Sequence, residues 1–177
     1  MNLTPVMEKF ILHWGEMGTR WGVNRTVAQI HALLYIAGRP LHAEQITDTL
    51  GVARSNVSTS IRELQNWGIV HLVHVRGDRR DHFESLTDVW QMFRLIMDVR
   101  KKREIDPTLT VLRQCVTEAL HTDGIEDQNT QQRLKQLLDF SENMSTWYIH
   151  IRALPQAMMV KFVQMGAKIS QILDLAP

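Results

Sequence analysis

Apolar residues recur along most of the chain in steps of three and four, the spacing of one face of an α-helix. Between Thr4 and Arg20 they fall at Val6, Phe10, Trp14 and Met17, with Trp21 next, and predict an amphipathic helix. Gly15, Gly18 and Gly22 weaken its propensity and predict either a helix end or a close approach by another element. Asn24 suits the N-cap of a second helix with Val27, Ile30, Leu34 and Ala37 on its apolar face, stopped by Gly38 and Pro40. A third helix fits Ala43 to Leu50, with Ile46 and Leu50 inward. A fourth fits Arg54 to Trp67, with Val57, Ile61 and Leu64 inward and Gly68 as its stop.

The period then changes. Ile69 to Val75 is rich in β-branched residues and is broken by Arg76-Gly77-Asp78-Arg79-Arg80-Asp81, after which His82 to Leu86 can return as a second strand. This is a hairpin with a charged tip. Helical spacing resumes from about Asp88 to Glu104, with Val89, Phe93, Ile96 and Val99 inward, and again after Pro107 with Leu109, Leu112, Val116 and Leu120. A polar stretch around His121 to Thr130 reads as a loop. Two further helices follow, about Gln131 to Arg152 and Gln156 to Leu175. In the last, Met158, Phe162, Met165, Ile169 and Ile172 make the seam of a coiled coil or bundle. The predicted fold is therefore mainly α. A winged helix-turn-helix of three helices and a β-hairpin lies between an N-terminal helix and a C-terminal helical dimerisation region. The expected domains are residues 1–88 and 89–177.

Composition refines this picture without redirecting it. Of 177 residues, 44% are apolar and 22% charged, as expected of a folded protein and not of a disordered one. The 20 basic and 19 acidic side chains nearly cancel, so charge has to be read segment by segment. A lone cysteine, Cys115, cannot close an intrachain disulfide, and at an apolar helical position it reads as a small buried hydrophobe. Glu8 and Lys9 stand where a signal peptide would have its apolar core, and no run approaches the roughly 20 apolar residues that span a bilayer. The expectation is a soluble, cytoplasmic protein with no membrane partner.

Candidate chemistry concentrates between Leu41 and Thr87. With Val57, Ile61 and Leu64 inward, the fourth helix turns Arg54, Ser55, Asn56, Ser58, Thr59 and Arg62 outward. Guanidinium groups suit phosphate and guanine, and hydroxyl and amide groups suit base edges in a major groove that admits one helix. The hairpin tip adds Arg76, Arg79 and Arg80, placed to meet backbone or minor groove. From Gly51 to Arg80, five arginines face two acids, Glu63 and Asp78, for a local charge of +3. The reading is a sequence-specific double-stranded-DNA-binding regulator of transcription, a repressor, with a winged-helix protein-interaction module as the alternative.

Asp78-Arg79-Arg80, followed by Leu86-Thr87, resembles the wing signature of MarR-type regulators, and the stretches Leu50 to Ser58 and Arg62 to Gly68 resemble their recognition-helix region. The glycine-bearing first helix and helical tail are similar to the GbsR-like branch of that family. The resemblance covers about residues 5–100. It implies that Asp78 orients Arg80, which enters the minor groove, and that the protein is a homodimer on a pseudo-palindromic operator. Ala53 departs from the pattern, standing where many relatives carry a capping serine. Either Ser55 caps instead or the helix starts differently.

Other constellations point away from catalysis. His71 and His74 are an odd number apart and would face opposite sides of one strand, with no cysteine pair or His-Glu-x-x-His spacing beside them, so no metal is expected. Asp78 and Asp81 lie among arginines, as ion pairs do. No phosphate-binding glycine loop or nucleophile elbow is present, and the chain is read as no enzyme, with no cofactor. Met144, Trp147, Tyr148, Met158 and Met159 would suit an apolar or cationic effector if they lined one pocket, or belong to the core. The dimer interface falls to the last helix, to the helix from Asp88 to Glu104, or to both.

Overall fold

The computed structural model describes the backbone of residues 1–120 and 125–173 and the side chains of residues 1–120 and 128–165. It divides into two units, Met1–Ile96 and Met97–Pro177. Among the described residues no helix is long and apolar enough to cross a membrane.

In the first unit α1 (Pro5–Arg20) starts at Thr4, whose hydroxyl accepts from the Met7 N–H. Its inward face is not the one its large residues suggest. Ile11, Gly15 and Gly18 are buried, Phe10 and Trp14 are half-buried, and Val6 and Trp21 are 75% and 53% exposed. The glycines decide this. A Cβ on Gly18 would stand 2.5 Å from the Ala28 Cβ, and one on Gly15 would stand 2.6 Å from Gln29 Cγ. The glycine stripe therefore lets α2 (Arg25–Ala37) approach more closely than any side chain would permit, and the helix turns that stripe inward. Of the two readings of these glycines, close approach is the one realised at Gly15 and Gly18.

Asn24 caps α2 by accepting from the Thr26 N–H at 2.8 Å, and the helix ends at Gly38 in a left-handed conformation. Its Val27, Ile30, Leu33 and Leu34 join Leu41, Ile46, Val57, Ile61, Leu64, Ile69 and Val70 in one buried core. Each such aliphatic side chain contributes about 1.5–3 kcal/mol on removal from water. The predicted bounds of α3 (Ala43–Leu50) match, and α4 runs Arg54–Asn66 with Trp67 as its C-cap.

The hairpin strands β2 (Val70–Val73) and β3 (His82–Ser85) pair antiparallel with Leu72 opposite Phe83. A two-residue strand, β1 (Leu41–His42), pairs on the other side of β3, with Leu41 opposite Phe83 and His42 opposite His82. The sheet order is β1-β3-β2, so the second wing strand is central and is tied to the chain entering α3.

α5 (Val89–Arg100) is capped by Asp88, which accepts from the Trp90 and Gln91 N–H groups. Its phase departs from expectation. Met92 is buried, Leu95 and Ile96 pack on the core, and Val89 and Phe93 are 57% and 48% exposed. With Val89, Trp90, Met92, Phe93, Leu95 and Ile96 all large and apolar, spacing alone cannot set the rotation. The face that packs on the core is the one carrying Met92, Leu95 and Ile96.

In the second unit the chain does not break before Pro107. Lys101–Ile105 forms a π-helical turn that runs into α6 (Asp106–Ala119), with Pro107 in its first turn. Proline cannot donate to the carbonyl four residues back and its ring crowds that carbonyl, and a widened turn accommodates both. Leu109 and Leu112 are buried as expected, whereas Leu120, at the C-cap, is 67% exposed. α7 (Ile125–Arg152) starts earlier than predicted, so residues 125–130 are helix and not loop; residues 121–124 of that stretch lie outside the described residues. Arg113 on α6 donates to Glu142 on α7 at 2.9 Å. α8 spans Gln156–Leu173, and the side chains of Ile169 and Ile172 fall outside those described.

Candidate nucleic-acid interface

α4 presents the predicted polar face. Burial of Val57, Ser60, Ile61 and Leu64 turns Arg54, Ser55, Asn56, Thr59 and Arg62 to solvent, and Ser58 is half-buried at the margin. Ala53 occupies the N-cap with no side-chain hydrogen bond, so Ser55 does not take over that role. The first-turn N–H groups of α4 are therefore left for water or for an anion.

The wing tip is ordered by its own side chains. Asp78 grips Arg80 at both ends: Arg80 Nε donates to Oδ1 at 2.9 Å, Nη2 to Oδ2 at 2.5 Å, and the Arg80 backbone N–H to Oδ1 at 3.0 Å. The Arg80 side chain and backbone N–H together hold the Asp78 carboxyl well below the usual carboxylate range. His82, buried at the base of the wing, donates from Nδ1 to the Arg80 carbonyl at 2.9 Å. Arg76, Arg79 and Asp81 are exposed on the same turn.

Two of the predicted contact residues meet through a third that the sequence reading passed over. Glu44, in the first turn of α3, accepts from Arg54 Nη1 at 3.0 Å through one oxygen and from Arg80 Nη1 at 3.4 Å through the other. Hydrogen bonding from Arg54, followed by the contact with Arg80, lowers its pKa. Extending the stretch back to Glu44 also takes in Asp48 and brings the local charge from +3 down to +1. Among the described residues no ion pair engages Arg62, Arg76 or Arg79.

The start of α3 is itself held by His42. Its Nδ1 accepts from the Gln45 N–H at 3.3 Å while Gln45 Oε1 accepts from the His42 N–H at 3.1 Å, a reciprocal cap with histidine in the usual place of serine or threonine. The His42 ring meets that of His82 edge to face at 5.4 Å. Burial, and then Arg80, lower the His42 pKa, which keeps Nδ1 available as an acceptor.

A helix pair with a polar outer face, closed by a three-stranded wing whose arginine is gripped by an aspartate, defines a winged helix-turn-helix protein. Residues 21–81 match the model of the MarR family, and the winged helix of this chain is similar to that family's. The chain is 20% identical over 154 residues to the HTH-type transcriptional repressor GbsR of Bacillus subtilis (strain 168), covering 84% of this chain and 85% of GbsR. It is 24% identical over 86 residues to YvaV of the same organism, a match that spans about half of each (49%). The crystal structure of a transcriptional regulator superposes with a TM-score of 0.63 at 16% identity, over 84% of this chain and 96% of that one, a likeness of fold.

The second unit holds a separate cavity of about 300 Å³, lined by Met97, Ile105, Met144, Trp147 and Tyr148 among others. Tyr148 donates to Asp98 at 2.7 Å, and Arg152 closes on the same carboxylate at 2.7 and 2.8 Å. Of the five residues suggested for an effector, Met144, Trp147 and Tyr148 line this cavity. Met158 is 57% exposed and Met159 is buried, and neither is part of the lining.

Proposed function

We propose that this protein is a sequence-specific transcription repressor acting in the cytoplasm as a homodimer on a pseudo-palindromic duplex operator. The observation that carries the reading is the fixed pairing of Asp78 with Arg80 beside the outward polar face of α4. In this reading Arg54, Ser55, Asn56, Ser58, Thr59 and Arg62 serve the major groove and its flanking phosphates, Arg76, Arg79 and Arg80 serve the wing contact, and Asp78 positions Arg80. Relatives named as HTH-type repressors support the sign of regulation.

The dimer is supported by the second unit. On α7, Leu137, Phe140, Met144 and Trp147 follow steps of three, four and three, and each is about half exposed or more. A seam of that spacing suits a second helix. The cavity beside Trp147 and Tyr148 is of the size and apolar character that a small effector fits.

The test is fluorescence anisotropy of the full chain on the duplex upstream of its own gene and on a shuffled duplex, at two salt concentrations. Tighter, salt-sensitive binding to the upstream duplex is expected. Absence of binding to either, at low salt, overturns the reading in favour of a protein-interaction module.

A further inference from the structure

Glu44 lies ten residues before the recognition helix begins, yet both of its carboxylate oxygens are committed to the DNA-facing arginines. One oxygen meets Arg54, the first residue of α4, and the other meets Arg80, on the wing. The three side chains are each half exposed or more, so the cluster is not a core ion pair. Glu44 itself is fixed from behind. It sits in the first turn of α3, where the His42–Gln45 cap holds the backbone and the helix dipole favours a negative charge.

The donor geometry says what that carboxylate stands in for. A guanidinium has five N–H groups in a fixed fork, and the ligands it matches are carboxylate and phosphate. On Arg80, Nε and Nη2 are taken by Asp78, and the contact with Glu44 uses Nη1, the outer edge of the fork. At 3.4 Å it is also longer than any of the Asp78 contacts, so it is the one that yields first to a competing anion. Arg54 likewise turns Nη1 to Glu44.

We propose that Glu44 is a specificity-determining residue of this interface: its carboxylate occupies the place of a backbone phosphate between Arg54 and Arg80, so DNA of arbitrary sequence must displace it. The inference rests on the DNA-binding reading above and deepens it. Non-specific affinity comes from phosphate neutralisation, and an intramolecular anion on the two arginines lowers it. At the cognate site, base contacts from the middle of α4 compensate for the displacement, so Glu44 widens the ratio between the two. It also couples the recognition helix to the wing, because both arginines close on one group.

The experiment compares the full-length wild type with Glu44→Gln and Glu44→Asp, by anisotropy on a shuffled duplex and on the upstream duplex across a salt series. Glu44→Gln keeps the shape and removes the charge. It is expected to bind the shuffled duplex roughly threefold or more tightly than wild type, with a log–log salt slope steeper by about one to two phosphates. The upstream duplex gains less, so discrimination narrows. Glu44→Asp, which retains the anion, stays near wild type on the shuffled duplex. Arg54→Gln in the Glu44→Gln background abolishes much of the gain, which a purely structural role for Glu44 would not produce. Unchanged or weaker binding of the shuffled duplex by Glu44→Gln, at an unchanged melting temperature, overturns the inference while leaving the DNA-binding reading intact. A wild type that binds neither duplex overturns the DNA-binding reading, and this inference with it.

Discussion

Arg80 is the side chain on which most of the interface geometry converges, since Asp78, Glu44 and, through its carbonyl, His82 all act on it. Replacing it with alanine is expected to lower the slope of log affinity against log salt by about one. Titration of affinity on one duplex over a salt series checks this, and an unchanged slope removes Arg80 from the phosphate or groove contacts. Asn56, exposed on the outer face of α4, is a different case. Asn56→Ala is expected to cost roughly 1–3 kcal/mol on the cognate duplex and much less on shuffled DNA if it makes a paired base contact. His31 is buried on α2 with Nε2 lacking a hydrogen-bond partner among the described residues, and burial lowers its pKa to about 4. The unfolded chain thus takes up this proton near pH 6.5 while the folded chain refuses it until about pH 4. Stability is therefore full above pH 6.5 and falls as pH drops through that window. The loss at pH 5 is about 2 kcal/mol relative to neutral pH. Denaturant melts at pH 7 and pH 5 measure it, and His31→Leu should flatten the difference.

At the scale of elements, the contact between α1 and α2 depends on what is missing. Gly18→Ala places a methyl 2.5 Å from the Ala28 Cβ, so one helix must shift. The expected cost is about 1–3 kcal/mol, typical of overpacking, although alanine favours the helix intrinsically. Thermal melting of the variant checks this, and a gain in stability would show that the two helices separate freely. α4 offers the opposite experiment. Its N-cap is Ala53, without a side-chain cap, and Ala53→Ser is expected to stabilise the fold by about 1 kcal/mol. The binary pattern and stop signals defined α2, α3 and α4 closely, because their apolar positions recur at helical spacing and their ends carry Asn24, Gly38 and Gly51. They misjudged the phase of α1 and α5 for opposite reasons. In α1 the inward stripe is glycine and carries no hydrophobic signal, and in α5 the apolar residues run almost all the way round.

For the whole molecule, the apolar seam on α7 argues for self-association. Sedimentation of the full chain is expected at twice the monomer mass, and Phe140→Glu, at a side chain 63% exposed, is expected to shift it to monomer. The same variant should weaken operator binding more than shuffled-duplex binding, because two linked half-sites gain from being held together. A sedimenting dimer unaffected by Phe140→Glu would move the interface elsewhere.

The pairing of Asp78 with Arg80 was implied by the resemblance of Asp78-Arg79-Arg80 to MarR-type wings. The helix-turn-helix and wing were legible in the amino-acid sequence because their signals are local: a period of about 3.6, a switch to β-branched residues, glycine stops, and a charged tip. Those are properties of neighbouring residues on one element. Tertiary structure alone decided the rest. The strand Leu41–His42 exists only because β3 pairs with it, since two residues carry no pattern of their own. The role of Glu44 was invisible for the same reason. It lies 10 residues from Arg54 and 36 from Arg80, separations that no periodicity encodes. Only the folding of α3 against α4, with β1 and β3 closing the wing beside them, brings one carboxylate to both arginines.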